Sequence, residues 1–346
     1  MKIAVDLQPL KGPFGGGNSF LSLLVEGLES RGHEVVFSLK SDDIGFILIM
    51  DPRWRHPMRA ISIPSILTYL FRYPRTVVIH RINECDERKG TRTMNVKLRR
   101  INYLADVTVF VSSWLRTLKL TNENLVHDDL PPEHKVILNG SNASLFWPNQ
   151  KDTWKPGMKL RIVTHHWSSN PMKGTDLYLY LDSLLENEPW RSQFEFTYIG
   201  NWDQSRALKN AKTIPPLFGD DLARELRSHH VYITGSRNEP GGNHQNEGAL
   251  SGLPLIYIQS GCLPEYCDGF GVELNESMNL EKALLELRRD YSRYRHRLES
   301  FPHTAKKMIA EYEALFRNAE ERRESISRHR RLWRNPWTVF RLFFPM

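Results

Sequence analysis

Cysteine is scarce in this sequence, and its placement fits neither a disulfide framework nor a metal site. The 346 residues include only three cysteines, namely Cys85, Cys262 and Cys267. So few cysteines, in an odd number, cannot crosslink a small secreted domain by disulfides, and no CxxC pair is present to bind zinc. We therefore expect Cys262 and Cys267 to be reduced and structural, in a reducing compartment.

Long hydrophobic runs are also missing. The longest uninterrupted apolar run, FILIM at residues 46–50, is far shorter than the ~20 residues that span a bilayer. The amino-terminal MKIAVDLQPL begins at once as a strand and has no long apolar region before a cleavage site, so we expect no signal peptide. These absences predict a cytoplasmic chain that does not cross a membrane.

Several catalytic motifs are absent as well. There is no D-x-D motif, only Asp-Asp pairs beginning at positions 42, 128 and 220, and no histidine and carboxylate set has obvious metal-ligand spacing. There is no G-x-x-x-x-G-K-[ST] loop and no G-x-S-x-G elbow. The sequence therefore disfavours three classes of reaction: metal-dependent transfer, P-loop hydrolysis and serine hydrolysis.

The hydrophobic pattern predicts an α/β protein with two domains. At ~150 residues per domain, the length suggests two cores. Residues 2–39 read as a strand, the turn KGPFGGG, a helix and a second strand. Further fully apolar strands follow, with helices between them, which indicates parallel sheets covered on both faces. The later strands are TVVIHRI, DVTVFVS and KVILNG, then LRIVTHH, FEFTYIG, HVYITG and LPLIYIQ.

The polar segment NQKDTWKPG at residues 149–157 has the composition of a linker. We predict two doubly wound, Rossmann-like domains that face one another across a cleft, where ligands of such sheets bind. The predicted boundaries are residues 1–150, residues 151–316 and a basic, aromatic helical tail over residues 317–346.

The tail holds most of the net charge of +7, with eight arginines against three glutamates from Arg317 to Met346. Its end interleaves arginine with tryptophan, phenylalanine and leucine, which favours contact with an anionic membrane surface. A helix that packs back onto the first domain is the alternative, and both stay open. A nucleic-acid-binding protein would explain the charge but not its confinement to the tail, so no nucleic acid is expected.

The stretch from 236 to 261 places Glu239 in a loop after a strand and Glu247 in the first turn of the next helix. The helix dipole favours a carboxylate there, and the backbone near Gly242 and Asn243 can approach an anion or a sugar. Carboxylates accept hydrogen bonds from vicinal hydroxyls, as in a ribose or hexose. The structural alternative is a helix-start residue and a solvated loop charge.

A second polar loop follows the strand LRIVTHH. Lys173 precedes a helix start, where it can balance a diphosphate together with the helix amides. His165 and His166 are candidate phosphate contacts. The alternatives are a surface lysine and structural histidines at a strand end.

The first domain offers two weaker candidates. Gly16 and Gly17, in the loop GPFGGGN, would let a ligand approach the backbone, although the loop is not G-x-G-x-x-G and a plain tight turn is the alternative. His80 is predicted at the carboxyl end of TVVIHRI, where it could orient or deprotonate an acceptor hydroxyl. A histidine hydrogen-bonded within its domain is equally compatible with the sequence.

Together these residues resemble the GT-B family 4 glycosyltransferases, which are retaining enzymes that use nucleotide-activated sugars. The most specific element is the E-x7-E pattern of Glu239 and Glu247, followed by a small-residue helix turn and GLP. VILNGSNASLFWP at residues 136–148 and the RGHEV exit of the first helix are similar too. The resemblance runs from about residue 2 to 270.

The resemblance implies a role for each candidate. Glu239 would hold hydroxyls of the donor sugar near the reacting centre, Glu247 the ribose, and Lys173 the diphosphate. Gly16 and Gly17 would admit the diphosphate close to the first domain.

His80 loosely matches a histidine that some members place near the reacting centre. The chain departs from the family pattern at two points. His165, His166 and a longer loop stand where an arginine is usual before the lysine, and Gly248 replaces the usual alanine.

The implied reaction moves a sugar from a UDP- or GDP-sugar to an acceptor hydroxyl, with retention and without a metal or other cofactor. The basic, aromatic tail suggests a glycan or lipid-linked acceptor at the inner face of the plasma membrane, in polysaccharide or lipopolysaccharide assembly. A GT-B sugar-nucleotide epimerase or hydrolase is the alternative within the fold.

Overall fold

The computed structural model describes residues 1–10, 12, 15–121, 133–149, 151, 153–203, 205–275, 279–328, 330, 332 and 335–344. Two compact units divide the chain. The first unit comprises Met1–Lys11, Gly17–Leu138 and Lys306–Met346, and the second comprises Gly12–Gly16 and Asn139–Ala305. The boundaries predicted at residues 150 and 316 stay predictions.

The first unit contains a six-stranded sheet in which each neighbouring pair is parallel. Its strands are β1 Lys2–Val5, β2 Glu34–Val36, β3 Phe46–Ile49, β4 Val77–Ile82, β5 Val107–Phe110 and β6 Glu133–Val136. The intervening helices are α1 Gly16–Glu29, α2 Ile63–Arg72, α3 Asp86–Lys89, α4 Met94–Asn102 and α5 Ser113–Thr117. The strand order is β2-β1-β3-β4-β5-β6.

The second unit repeats this architecture with another six-stranded parallel sheet. Its strands are β7 Leu160–His166, β8 Phe194–Gly200, β9 Lys212–Ile214, β10 Val231–Thr234, β11 Leu255–Ile258 and β12 Gly271–Leu274. Its helices are α6 Thr175–Leu184, α7 Trp190–Gln193, α8 Gly219–Arg227, α9 His244–Leu250, α10 Leu263–Cys267, α11 Leu280–Arg289 and α12 Tyr291–Arg297, with 3-10 turns at Pro171–Lys173 and Leu298–Ser300. The order is β12-β11-β10-β7-β8-β9.

Both sheets are doubly wound, as the apolar strands predicted. Strands β1, β3, β4, β5, β10 and β11 are buried along nearly their whole length. The strand order reverses between β1 and β3 in the first sheet and between β7 and β10 in the second. Ligands of such sheets bind beyond the carboxyl ends of the strands at a reversal of this kind. We call these two places the first and second switch points.

The described part of the tail packs on the first unit, in α13 Ala305–Glu321, α14 Arg323–Arg328 and α15 Pro336–Arg341. Leu332, Val339 and Leu342 are buried in the core that lies against β3 and α2. Arg330 is buried and forms a bidentate pair with Asp106 at 2.7 and 2.8 Å. The packing alternative is therefore observed. Tail residues 329, 331, 333, 334, 345 and 346 lie outside the described residues.

The three cysteines are free thiols in buried positions. Burial raises the pKa of Cys262 and Cys267 far above the usual thiol value, so both thiols stay protonated at neutral pH. This agrees with the expected structural role. No helix in the described part of the chain combines the length and the apolar character needed to cross a bilayer.

Candidate functional site

The second switch point is built by two loops in close contact. A Cβ atom added to Gly174, after β7, would lie 2.5 Å from the Cα atom of Gly235, after β10. The amide of Arg237 donates to the carbonyl of Met172 at 2.7 Å, and its guanidinium makes a bidentate pair with Asp176 at 2.6 Å. These contacts fix the two loops relative to each other, so the polar side chains they carry are held together.

Lys173 and Glu239 form the first charged pair at this point. Lys173 Nζ lies 3.1 Å from Glu239 Oε2, which also accepts a hydrogen bond from Ser236 Oγ at 2.6 Å. The Lys173 side chain is 22% exposed and that of Glu239 7%. The backbone of Glu239 is fixed as well, because its carbonyl accepts from the amide of Cys262 at 2.8 Å.

His165 and Glu247 form the second pair. His165 Nε2 lies 2.7 Å from Glu247 Oε2, and both side chains are partly exposed. A carboxylate at this distance requires a proton on Nε2, so in the neutral ring Nδ1 accepts from the Tyr232 hydroxyl at 3.1 Å. Burial raises the pKa of Tyr232, which keeps that hydroxyl protonated. Glu247 Oε1 has no hydrogen-bond partner among the described residues.

The two departures from the family pattern are connected through Tyr232. A Cβ atom at Gly248 would lie 2.4 Å from Tyr232 Cγ, so the tyrosine ring occupies the space that an alanine methyl would need. The same tyrosine fixes the ring of His165. Gly248, which follows Glu247, thus leaves room for Tyr232, and Tyr232 orients the ring of His165.

His166 lies deeper than His165. Its Nε2 is 2.7 Å from the Tyr178 hydroxyl and 3.2 Å from Thr164 Oγ1, and its ring packs 4.9 Å from that of His244. Its side chain belongs to a buried polar network beneath the switch point. This placement agrees with the structural alternative for His166.

The glycine-rich turn before α9 is tightly packed. A Cβ atom at Gly242 would meet Gln245 Oε1 at 2.7 Å. Asn243 is buried, and its Nδ2 lies 3.4 Å from the carbonyl oxygen of Gly16, a residue grouped with the second unit. Asn243 Oδ1 is buried without a partner among the described residues. A Cβ atom at Gly17 would meet no atom of the described chain within 4 Å.

His80 belongs to the first unit and is fully buried within β4, which continues to Ile82. It therefore lies two residues before the end of the strand at which it was predicted. Its Nδ1 is 3.2 Å from Asn102 Nδ2, and that amide also donates to Thr108 Oγ1 at 2.7 Å. These contacts agree with a histidine bonded within its own domain, and the predicted catalytic role stays a prediction.

The charged residues at the first switch point were not predicted from the sequence. Asp6 follows β1, is completely buried and accepts from the amide of Met50 at 2.8 Å. Arg59 pairs with Asp6 and donates to the carbonyl of Asp51 at 2.6 Å. Burial raises the pKa of Asp6, against the pull of Arg59. The sequence does contain a signal for Asp6 and Asp51, because each is an acidic residue directly after an apolar run, in KIAVD and FILIMD.

The chain is similar over 92% of its length to solved structures that include the following three. Sucrose-phosphate synthase from Thermosynechococcus elongatus is 14% identical, with a TM-score of 0.62 over 92% of this chain and 99% of that one. AviGT4, a glycosyltransferase involved in avilamycin A biosynthesis, is 17% identical, with a TM-score of 0.60 over 92% and 97%. Anabaena HepE in complex with UDP is 12% identical, with a TM-score of 0.63 over 92% and 99%.

No family model matches the sequence. No curated protein matches it either. The two parallel sheets and the structural matches over nearly the full chain show that this protein has the GT-B fold.

Proposed function

We propose that this protein is a glycosyltransferase that moves a sugar from a nucleoside diphosphate sugar to an acceptor hydroxyl. One observation carries the proposal. At the second switch point, Glu239 and Glu247 are each paired with a cationic or ionisable partner, Lys173 and His165, and three of the four side chains are partly exposed while Glu239 is buried. HepE, which shares the fold, was solved with UDP.

Glu247 is the proposed ribose ligand. Its Oε2 is engaged by His165, while Oε1 can accept from a ribose hydroxyl. Ionised carboxylates are acceptors only, and such charge-assisted hydrogen bonds are worth about 1.5–3 kcal/mol each. Glu239 is the proposed ligand of the sugar hydroxyls, with Ser236 and Lys173 fixing its carboxylate.

Lys173 is the proposed partner of the diphosphate. A diphosphate brings negative charge that competes with Glu239 for the ammonium group, and the amides at the start of α6 can add to its binding. Stabilisation of the departing diphosphate by a fixed cation and fixed amides lowers the barrier to transfer. We propose on this basis that transfer needs no metal, and the family resemblance implies retention at the anomeric carbon.

Asn243 is a further proposed contact to the sugar nucleotide, with its buried Oδ1 as a hydrogen-bond acceptor. Gly16 and Gly17 are the proposed glycine contacts to the diphosphate. We place His166 beneath this site and assign no proton transfer to His80, because its ring is buried and bonded to Asn102.

The proposed acceptor is a glycan or a lipid-linked glycan of cell-surface polysaccharide or lipopolysaccharide assembly. The basic, aromatic tail supports a peripheral position at the inner face of the plasma membrane. Its described aromatic side chains Trp337, Phe340 and Phe344 are each at least half exposed. Exposed rings beside arginines favour a membrane interface.

The experiment is to follow nucleoside diphosphate release from UDP- and GDP-sugars in the presence of a chelator, with the sugar product identified by mass spectrometry. We expect release that depends on an added acceptor glycan and is lost in Glu247→Ala. Release without transfer would identify a hydrolase, and a changed nucleotide sugar without release would identify an epimerase. Either outcome, or full turnover by Glu247→Ala, would overturn the proposal.

A further inference from the structure

The first unit contains a cavity of about 510 Å³ with a strongly basic lining. Its side chains include those of Arg53, Trp54, Arg55, Lys97, Arg100 and Leu342. Among the described residues, the lining holds four cations and no acidic side chain. We call it the basic cavity.

Three of these cations have no described carboxylate partner. Arg53 pairs with Asp51, whereas Arg55, Lys97 and Arg100 form no ion pair with any carboxylate in the described ranges. Burial and the nearby Arg341 lower the pKa of Arg100, so positive charge is crowded here. An anion in the basic cavity would relieve this repulsion.

The helix α15 borders the basic cavity and has two apolar faces. One face is buried through Val339 and Leu342. The other exposes Trp337 by 73%, Phe340 by 54% and Phe344 by 50%. The Phe340 ring centroid lies 5.8 Å from that of Trp337 and 5.0 Å from that of Phe344. We call these three residues the aromatic ridge.

The cavity and the ridge are joined by direct contacts. Leu342 of the tail lines the basic cavity, and Arg100 donates to the carbonyl of Phe344 at 3.0 Å. A cluster of exposed rings is unfavourable in water and fits the boundary between lipid headgroups and acyl chains. A partner that satisfies both features must therefore present an anionic group to the basic cavity and an apolar phase to the adjacent aromatic ridge.

We propose that the basic cavity and the aromatic ridge form one docking site for an anionic phospholipid. The phosphate of the headgroup enters the basic cavity, and the aromatic ridge inserts at the level of the acyl chains. This inference rests on the membrane association in the proposed function and names the surface and lipid chemistry that produce it.

The two features together favour a lipid over other anions. A soluble phosphate would use the cations but leave the ridge in water. A single-stranded nucleic acid needs flat ring faces on which bases stack, whereas the rings of Phe340 and Phe344 pack against each other at 56°. Only a lipid supplies both the phosphate and the apolar phase.

The test is cosedimentation of the full chain with vesicles of equimolar phosphatidylglycerol and phosphatidylcholine, and with phosphatidylcholine alone. We expect preference for the anionic vesicles. Arg55→Gln with Lys97→Gln should weaken binding about 30-fold, since each cation near an anionic surface contributes on the order of fivefold. The matched control, Arg116→Gln with Lys306→Gln, removes the same charge from exposed positions elsewhere in the first unit and should bind like wild type.

The ridge is tested by the triple variant Trp337→Ser, Phe340→Ser and Phe344→Ser, with Phe71→Ser as the exposed aromatic control. We expect the triple variant to lose most vesicle binding and the control to keep it. In the wild type, vesicles should slow amide hydrogen exchange across residues 335–344, a measurement that needs no variant.

Three outcomes would overturn the inference. They are equal vesicle binding by the wild type and both variants, unchanged hydrogen exchange at residues 335–344, and competition by RNA or inorganic phosphate that displaces the protein completely from salt-matched vesicles. The thermal shift produced by UDP or GDP is recorded on the same samples. An unchanged nucleotide shift in a variant that no longer binds vesicles separates failure of docking from failure of the proposed donor site.

Discussion

The two switch points have the same topology but use charge in opposite ways. At the first, Asp6 is fully buried and is neutralised from within by Arg59. At the second, Lys173 and His165 pair with Glu239 and Glu247, and solvent still reaches Lys173, His165 and Glu247. The buried cluster holds the loop after β1 in place. Glu247 Oε1 keeps an acceptor without a partner among the described residues, so we propose that the first switch point serves the fold and that the second binds a ligand.

This comparison predicts that stability and binding separate between the two units. Removing one partner of a buried ion pair leaves an uncompensated charge and costs about 3–5 kcal/mol. A solvent-exposed pair contributes about 0–1 kcal/mol. Substitutions of similar chemistry should therefore produce different phenotypes at the two places.

The largest effect is expected for Arg59→Gln. This change leaves Asp6 buried without its cation and removes the donors to the carbonyls of Asp51 and Arg53, so we expect a loss of about 3–5 kcal/mol in the free energy of unfolding. Lys173→Gln at the second switch point should cost less, about 1–2 kcal/mol, because the Lys173 side chain is 22% exposed and solvent partly compensates Glu239. Denaturant titration measures both, and equal losses would remove the distinction between the two switch points.

A somewhat smaller effect is expected for Gly174→Ala. Its φ of +103° disfavours alanine, and the new Cβ atom would also collide with Gly235. Gly157→Ala is the matched control, because its φ is +92° and its Cβ position is open. We expect about 1 kcal/mol for the control and about 1–2 kcal/mol more for Gly174→Ala. Similar losses would mean that the two loops do not approach as closely as described.

The packing of Gly248 against Tyr232 gives the next prediction. Gly248→Ala should cost about 1–3 kcal/mol by overpacking, because the Tyr232 ring occupies the space of the methyl group. In a double-mutant cycle with Tyr232→Val, the two losses should sum to more than the loss in the double variant. Strictly additive losses would show that the Tyr232 ring is not what excludes a methyl group at position 248.

The smallest effect concerns pH at the first switch point. Burial lowers the pKa of His56 below its usual 6.5, although Asp51 opposes this, and its Nδ1 accepts from the amide of Met58 at 3.2 Å. A lowered pKa in the folded state means that the unfolded state binds the proton first, so stability falls as pH drops below 6.5. His56→Asn should reduce this loss between pH 7.5 and 5.5 by about 1 kcal/mol or less. An unchanged pH profile would show that folding does not lower the pKa of His56.

The doubly wound fold could be predicted largely from the sequence because most central strands are apolar throughout. LRIVTHH and FEFTYIG coincide with β7 and β8. The FILIM run was weighed only against membrane spanning and forms β3. The edge strands β9 and β12 were not predicted from the sequence. The residues KTI of β9 are mostly exposed, and the residues GVEL of β12 alternate between buried and more exposed positions. Short edge strands lack the two buried faces that make a strand visible in the sequence.

The candidate site was predictable as a set of residues but not as a set of contacts. Glu239, Glu247 and Lys173 could be selected by their position beside strand ends. The bond between His165 and Glu247 joins residues 82 positions apart, and no local pattern encodes such a pairing. The dependence of Gly248 on Tyr232 likewise arises from packing between a helix and a strand.

The most direct test of the second switch point is calorimetric titration of the full chain with UDP and with GDP, in wild type, Glu247→Ala and Glu195→Ala. Glu195 is an exposed glutamate on β8 of the same unit and serves as the control. We expect one nucleotide to bind the wild type and Glu195→Ala equally and to bind Glu247→Ala about 10- to 100-fold more weakly, the loss of one charge-assisted hydrogen bond. Equal binding by Glu247→Ala, or no binding of either nucleotide to the wild type, would contradict the assignment of this site.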